Sequence, residues 1–530
     1  MTSRTLGASG HAGSWRQART IAWWTAALAG LHAGPAAVAP AHAHAQVIAV
    51  KSAPIADGGQ FAFLPSANLG MGGVSIALSD SALDPFTNPA KGARFTGTRV
   101  FGAPTFFAVS RQSGGGLTLP LGVSTSNGRW FSQFMLALQD IDGSNNDQQN
   151  LPPPIAVADV APPRPGATSS APAIDDAKVS RQNRYAHATL GRRLPNRLSV
   201  AASASWWGLN AVDGVELYYA GNQSVRQHGD ALDLRLGMLK ELGRGQSLEA
   251  VVVRNRFSVD QNVAFTDVFW NPNERQMTFV PRLEPNADRT ETWGLHVAYS
   301  RPLADSTWRV GAIATGNHIR QPSLPGYDLP LVPADAGTAQ AYNLGAGIAR
   351  NTGPITMGFD AIFEPITSRT WDNAEKEVET LAGSVLDAGT RTLDSRFRFT
   401  NAITRLGIAA TFPFSTDYSL RLEAGGQLHA VRYHLSQRDV IRDERNTSTQ
   451  NWNEWTRSWG ISVRFAGADL HYRGALTTGA GRPGLDDFNG AVIEPAALSS
   501  SFTNSFAAFG RTFGDVRATT HQISLSVPIR

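Results

Sequence analysis

The sequence contains no cysteine. That excludes a disulfide framework and any thiolate metal site. Charge is scarce as well: 17% of the residues are Asp, Glu, Lys or Arg, against about a quarter in an ordinary soluble domain. Beyond residue 45 no apolar run reaches the roughly 18 residues that a membrane helix needs, so helical spans are not expected there. Excess basic charge is also missing. The net charge is +4, but Arg4, Arg16 and Arg19 fall in the first 45 residues, which hold no acid, so the remainder carries about +1. No nucleic-acid partner is implied by that balance.

What is present begins with an export signal. The three arginines form a basic start, and Thr20–Val38 is a weakly apolar stretch with Trp23, Trp24 and Leu28. Ala41–Ala45 then offers small residues at a cleavage site before Gln46. His32, Gly34 and Pro35 interrupt the stretch and argue against a retained anchor. Residues 1–45 are read as a signal peptide cleaved near Ala45.

Residues 46–97 show no sustained period. From Thr98 onward the pattern is period two. Leu420, Leu422 and Ala424 alternate with Arg421 and Glu423, and Leu232, Leu234 and Leu236 with Asp233 and Arg235. Short turns are expected at Leu194–Asn196, Gly243–Gln246, Ala304–Ser306, Asn351–Gly353, Phe414–Asp417 and Ala466–Ala468. Long stretches lie between them: Asp142–Gln182, Ala211–Gly229, Asp260–Arg289, Gln321–Gln340, Thr367–Thr392, Arg438–Asn453 and Gly479–Arg517. Alternating short and long connections are the order of an outer-membrane barrel.

The fold class is therefore all-β, a transmembrane antiparallel β-barrel over residues 98–530. Sixteen strands are counted, from 98–111 to 518–530, with 117–124 and 183–193 the weakest, so fourteen stays open. Thr404 and Arg405 mark an apparent parity switch that predicts a bulge. Asp372–Leu386 has helical spacing and predicts a short external helix. Trp130, Trp206, Trp293, Trp308 and Trp455 sit where an aromatic girdle belongs. Leu151–Ala173 is Pro/Ala-rich and reads as an extended external loop.

The stretch before the first strand is the most distinctive. It runs NLGMGGVSIALSDSALDPFTNPA over residues 68–90. Gly70, Gly72 and Gly73 permit positive φ or close backbone approach. Asn88, Pro89 and Ala90 close the stretch on a fixed φ. Its Gly-rich start, the small and acidic Ser79–Asp84, and Asn-Pro-Ala resemble the opening of the long-chain fatty acid transporter family of outer-membrane barrels. That resemblance implies a hatch inside a fourteen-stranded barrel, here residues 46–97, and uptake of hydrophobic compounds. A related branch serves secretion or surface attachment. Val74, Ile76 and Leu78 are the candidate ligand contacts.

Inward parity places Asp233, Arg235, Arg309, Asp360, Glu364, Arg421, Glu423, Arg464 and Arg473 in a lumen charge network holding the hatch. His296, His429 and His471 share that parity, but no nucleophile motif accompanies them, so no enzyme is expected. Gly479, Gly481 and Gly484 match a dinucleotide fingerprint, yet Pro483 and Leu485–Phe488 give no helix to hold a pyrophosphate. Asp140, Asp142, Asn145, Asn146 and Asp147 fit no calcium-loop spacing. No cofactor or metal is expected. The partners implied are outer-membrane lipid and a small hydrophobic ligand. The alternative is a surface scaffold or secretion barrel whose external loops engage a protein.

Overall fold

The computed structural model describes residues 47–48, 59–110, 114–142, 155–156, 181–213, 222–271, 276–304, 307–320, 336–374, 376–380, 382–415, 417–480 and 516–529. Sixteen antiparallel strands pair in sequence order and close on themselves. β1 comes in two pieces, Gly97–Gly102 and Thr105–Val109, split at Pro104, which has no N–H to give a ladder. After it come β2 Gly115–Ser126, β3 Trp130–Asp142, β4 Gln182–Leu194, β5 Leu198–Leu209, β6 Asn222–Leu242, β7 Gln246–Asn271 and β8 Gln276–Pro302. The second half is β9 Trp308–Arg320, β10 Ala336–Thr352, β11 Ile355–Asn373, β12 Arg391–Pro413, β13 Tyr418–Asp439, β14 Glu444–Phe465, β15 Ala468–Ala480 and β16 Val516–Ile529. Closure pairs Val100 with Val527 and Phe107 with Thr520, so among the described residues the barrel has no edge strand.

Among the described residues the short turns fall where expected. They use left-handed backbone at Asn196, Arg244, Gly245, Gly353, Ala466 and Gly467, as tight two- and three-residue hairpin loops do. All of them lie at one end of the barrel. The outside carries Leu136, Leu190, Leu236, Leu295, Phe359, Leu406, Ile461 and Leu525, each exposed. A closed barrel with such a belt satisfies its backbone internally and presents hydrocarbon to hydrocarbon, which is the exterior of an outer-membrane barrel. Trp130 and Trp308 mark the short-turn rim, while Trp206, Trp293 and Trp455 sit toward the other end. Ten residues separate Trp455 from Phe465 at its turn. At about 3.3 Å per residue and a tilt near 40°, that spans about 25 Å, the height of an apolar band. Arg192 and Arg350 lie 5.1 Å over the rings of Trp130 and Trp308, so the girdle is held by cation–π contacts.

Several expectations are corrected. The fourteen strands that the family resemblance implies are sixteen, as counted from the sequence. The long stretches at 260–289 and 438–453 are largely strand, and strand resumes at Asn222 within 211–229, because β6, β7, β8 and β14 run on beyond the membrane belt. No bulge occurs at Thr404 and Arg405: β12 keeps one register against β11 and β13 there, and odd-numbered residues stay buried from Ser395 to Ala409. What changes is polarity, since Phe397 and Phe399 face inward above Asn401 and Arg405. The described residues of 372–386 contain no helix, against expectation. β11 runs to Asn373, and Val378 pairs with Leu386 and Glu379 with Val385 around Gly383 at φ 80°. Two β-branched valines and a left-handed glycine outweigh the helical spacing.

The signal at 1–45 and the dinucleotide match beyond Ala480 lie outside the described residues, as do Asn145, Asn146 and Asp147. Of the Pro/Ala-rich loop only Ile155 and Ala156 are described, pairing in parallel with Val268 and Phe269 of β7.

Candidate functional site

Residues 59–95 form a folded segment in contact with the inward faces of strands from all sides of the ring. Two 3₁₀ turns, Leu69–Met71 and Pro89–Arg94, flank a single α-turn at Asp84–Thr87. Its hub is Asp80, buried, whose carboxylate accepts from Ser66 Oγ at 2.6 Å and from the backbone N–H of Ala67, Asn68, Ala82 and Leu83 at 2.7–3.1 Å. Sequence reasoning placed Asp80 in an acidic stretch without seeing this role. Five donors on one carboxylate fix a loop that has little other regular structure.

The Gly-rich and Asn-Pro-Ala motifs have separate mechanical reasons. Gly72 and Gly73 have φ of 71° and 72°, and a side chain at Gly72 would meet the Gly426 carbonyl at 2.6 Å and the Leu406 carbonyl at 2.9 Å. A side chain at Gly70 would collide with Glu423 and with the Gly460 backbone. Asn88 accepts from the Ala90 N–H at 3.1 Å and donates to Glu249 at 3.2 Å and to the Met238 carbonyl at 3.3 Å. Pro89 lies against Gly237. Ala90 is fully buried with Phe131, Ala201 and Leu239.

The wall is cut to receive this segment. Gly311, Gly345 and Gly347 on β9 and β10 face Ile76, Gly358 on β11 faces Val74 and Leu78, and Gly407 and Gly425 on β12 and β13 face Met71. Any Cβ at these positions would overlap the segment. Glycine inside a strand is the signal of a close backbone approach, and reading it would have found these seats. Val74, Ile76 and Leu78, the candidate ligand contacts, are thus the face by which the segment packs on the wall. Ile76 and Leu78 also border cavities.

The charged residues are brought together in separate clusters rather than one network. Arg235 pairs with Asp233 at 2.6 Å and donates to the Phe86 and Thr87 carbonyls at 3.1 Å. Asp360 accepts from the backbone N–H of Ser75 and Ile76 at 2.8 and 3.2 Å. Glu423 pairs with Arg421 at 2.8 Å and Arg473 at 3.5 Å, while Arg421 also donates to Met71 Sδ at 3.0 Å. Glu364 accepts from Asn401 at 3.0 Å. Arg464 and Arg99 share Asp469 near the short turns at 2.6 and 2.9 Å. Arg309 bonds the Gly245 carbonyl and Ser300 at 3.0 and 2.8 Å. Ser458 and Arg405 were missed: Ser458 accepts from the Gly72 N–H at 2.8 Å and donates to the Gly70 carbonyl at 3.0 Å, and Arg405 donates to the Gly73 carbonyl at 3.3 Å. His296, His429 and His471 bond Thr315, Glu454 and Ser462 at 2.7, 3.1 and 2.6 Å. Among the described residues no group of three or more acids and histidines is placed to hold a metal.

Lys91 lies between two carboxylates, 3.1 Å from Asp84 and 3.0 Å from Glu249. Burial pushes the Asp84 carboxyl up to about 6; Lys91 opposes the shift, and Glu249 and Asp80 add to it. Burial disfavours the Lys91 ammonium, but Asp84 and Glu249 outweigh that and raise its pKa. An unfolded aspartate titrates near 3.8, so between these values the folded chain binds more protons at Asp84. Its contribution to stability is greatest below about pH 4 and falls by on the order of 3 kcal/mol as pH rises through about 6. Lys91 stabilises throughout this window and loses that only in strongly alkaline solution. Asp84→Asn is expected to flatten the pH dependence of amide exchange over residues 70–95 between pH 4.5 and 7.5, where the wild type opens more readily at the higher pH. Equal pH dependence in both proteins would refute the assignment.

The second feature lies at the long-loop end of the interior. Phe397, Phe399, Val431, Tyr433, Leu435 and Trp452 face inward with Ile319 and Ile366 and are buried together with Ile48. Phe399 lies 5.8 Å from Tyr433, and Tyr433 5.8 Å from Trp452, between ring centres. The Ile48 N–H donates to Asn317 at 2.8 Å. Eight residues of β12, about 26 Å, separate Phe399 from Gly407 under the segment. Between them is a polar layer with Asn401, Glu364 and Glu454. A search for apolar-out alternation passes over this cluster, because here the polarity of the two faces is inverted.

Two cavities adjoin the segment. One of about 140 Å³ is bordered by Ile76, Asp84, Lys91, Glu249, His296 and Arg405. It is smaller than the roughly 300–1,000 Å³ of sites that enclose drug-sized ligands. The other, of about 450 Å³, is bordered by Leu78, Arg99, Arg421, Glu423, Asp469 and Arg473, a lining that suits water.

No family model and no curated protein matches the chain. Among solved structures it is similar to a FadL homologue from Pseudomonas aeruginosa, at 12% identity over 88% of this chain and 98% of that one, with a TM-score of 0.41. It is also similar to a bacterial polysaccharide outer membrane secretin, at 6% identity over 82% and 98%, TM-score 0.38. A third is CdiB from Acinetobacter baumannii, at 8% identity over 82% and 60%, TM-score 0.35. The barrel itself rests on its own strand pairing and belt.

Proposed function

We propose that this outer-membrane barrel carries small hydrophobic compounds, long-chain fatty acids among them, with residues 46–97 as a hatch. The observation behind the reading is the inward apolar cluster of Phe397, Phe399, Tyr433 and Trp452 at the long-loop end. An apolar solute leaving water gains about 25 cal/mol per Å² buried there. A wide open lumen would leak polar solutes, so a polar-anchored segment below the cluster closes the path until it shifts. The reading involves no enzymatic step, cofactor or metal. In a strain lacking the protein, complementation is expected to restore uptake of at least one compound in a panel of fatty acids and aromatic hydrocarbons. Unchanged uptake across the whole panel refutes it.

The ion pairs that fix the segment favour a second reading, a static scaffold whose external loops hold a protein. A stable partner that copurifies, and is lost when residues 143–181 are removed, would decide for the scaffold.

A further inference from the structure

Beyond the girdle the outer face of β11–β14 becomes basic. Arg369, Arg396, Arg398, Arg432, Arg438 and Arg445 occupy outward positions. Asp394 is the one acid on the outward positions of these strands above the belt, among the described residues. Register packs them closely. Arg369 lies opposite Arg396, Arg398 opposite His434, and Arg438 opposite both Asp394 and Arg445. Like charges directly opposed on a sheet repel. Asp394 relieves one side, reaching Arg369, and Arg391 and Arg396 at 3.6 and 3.8 Å. Arg398, Arg432, Arg438 and Arg445 form no ion pair among the described residues, and Arg396 is 66% exposed. On β7 and β8 outward acids meet arginines instead: Arg254, level with Trp293 of the girdle, lies 3.8 Å from Glu291, and Arg289 above it meets Asp260.

Height identifies the counterion. Leu428 lies opposite Trp455 of the girdle, and Arg432 is four residues further on. That is about 13 Å along the strand and about 10 Å along the membrane normal, just outside the hydrocarbon, where lipid headgroups lie. We propose that this patch is a docking site for a phosphorylated glycolipid of the outer leaflet, its phosphates bridging the opposed arginines and its acyl chains lying on the belt below. Guanidinium forks match phosphate oxygens, and the adjoining apolar belt distinguishes a lipid from a free anion. The inference rests on the outer-membrane orientation with long loops outward.

The test uses the full protein in detergent, with native mass spectrometry as readout and bisphosphorylated lipid A, its dephosphorylated form and inorganic phosphate as probes. Wild type is expected to retain phosphorylated lipid A and neither other probe. R398Q/R432Q/R438Q should weaken that binding on the order of a hundredfold, R432Q alone by less, and R254Q/R289Q not at all. A shift in gel migration on heating shows that each variant is folded. Equal binding by wild type and R398Q/R432Q/R438Q, or no binding by wild type, overturns the proposal. So does equal retention of the dephosphorylated lipid. Uptake of hydrophobic compounds should persist in R398Q/R432Q/R438Q, so failure here and failure of the transport reading are separate results.

Discussion

Gly72→Val is expected to turn a closed barrel into a conducting one. Gly72 has φ of 71°, a conformation that costs a β-branched residue about 1–2 kcal/mol. Its Cβ would also press on carbonyls of β12 and β13 at 2.9 and 2.6 Å, and overpacking adds about 1–3 kcal/mol. Backbone ladders cannot retreat as a side chain can. The segment must therefore give way, losing the Ser458 and Arg405 bonds that hold Gly70 to Gly73. The matched control is Gly73→Asn. Gly73 has the same φ but open space around its missing side chain, and asparagine tolerates the left-handed region. In planar bilayers Gly72→Val should show persistent ion conductance, with wild type and Gly73→Asn closed. Conductance equal to wild type in Gly72→Val would mean that the segment does not seal the barrel.

That contrast also shows what was legible in the sequence and what was not. Strand count and turn positions were readable because each strand below the girdle faces lipid on one side and polar groups on the other. Leu422 and Leu428 against Glu423 and Gln427 carry that contrast plainly. Above the girdle it inverts, and Phe397 and Phe399 mimicked a bulge that the register does not contain. The motif glycines were visible because they cluster, whereas Gly311, Gly347, Gly358 and Gly407 are scattered over four strands and meet only in the folded ring. Charge partners failed for a related reason. Parity shows that Arg235 and Asp360 point inward, but their ligands are backbone groups of Phe86, Thr87, Ser75 and Ile76. A backbone acceptor leaves no mark on composition or spacing.

Phe399→Asp is expected to abolish uptake while leaving the barrel assembled. Phe399 is 1% exposed and touches Phe397 and Tyr433 at ring-centre distances of 6.2 and 5.8 Å. Truncating such a ring costs about 3–5 kcal/mol, and a carboxylate among aromatic faces adds a desolvation cost for which the cluster offers no cation. The sixteen-strand ladder does not depend on this side chain, since Phe399 pairs with Ile366 and Tyr433 through its backbone. A solute that must cross the cluster would meet a charged, hydrated gap instead of a dry surface, and uptake should fall by at least about tenfold, the effect of about 1.4 kcal/mol. Phe399→Leu keeps the apolar surface and should retain most uptake. Heat-dependent gel migration verifies folding, and an initial-rate assay with one transported compound gives the comparison. If Phe399→Asp folds and transports like wild type, the inner aromatic cluster is packing and not a passage, and the scaffold reading gains by the same result.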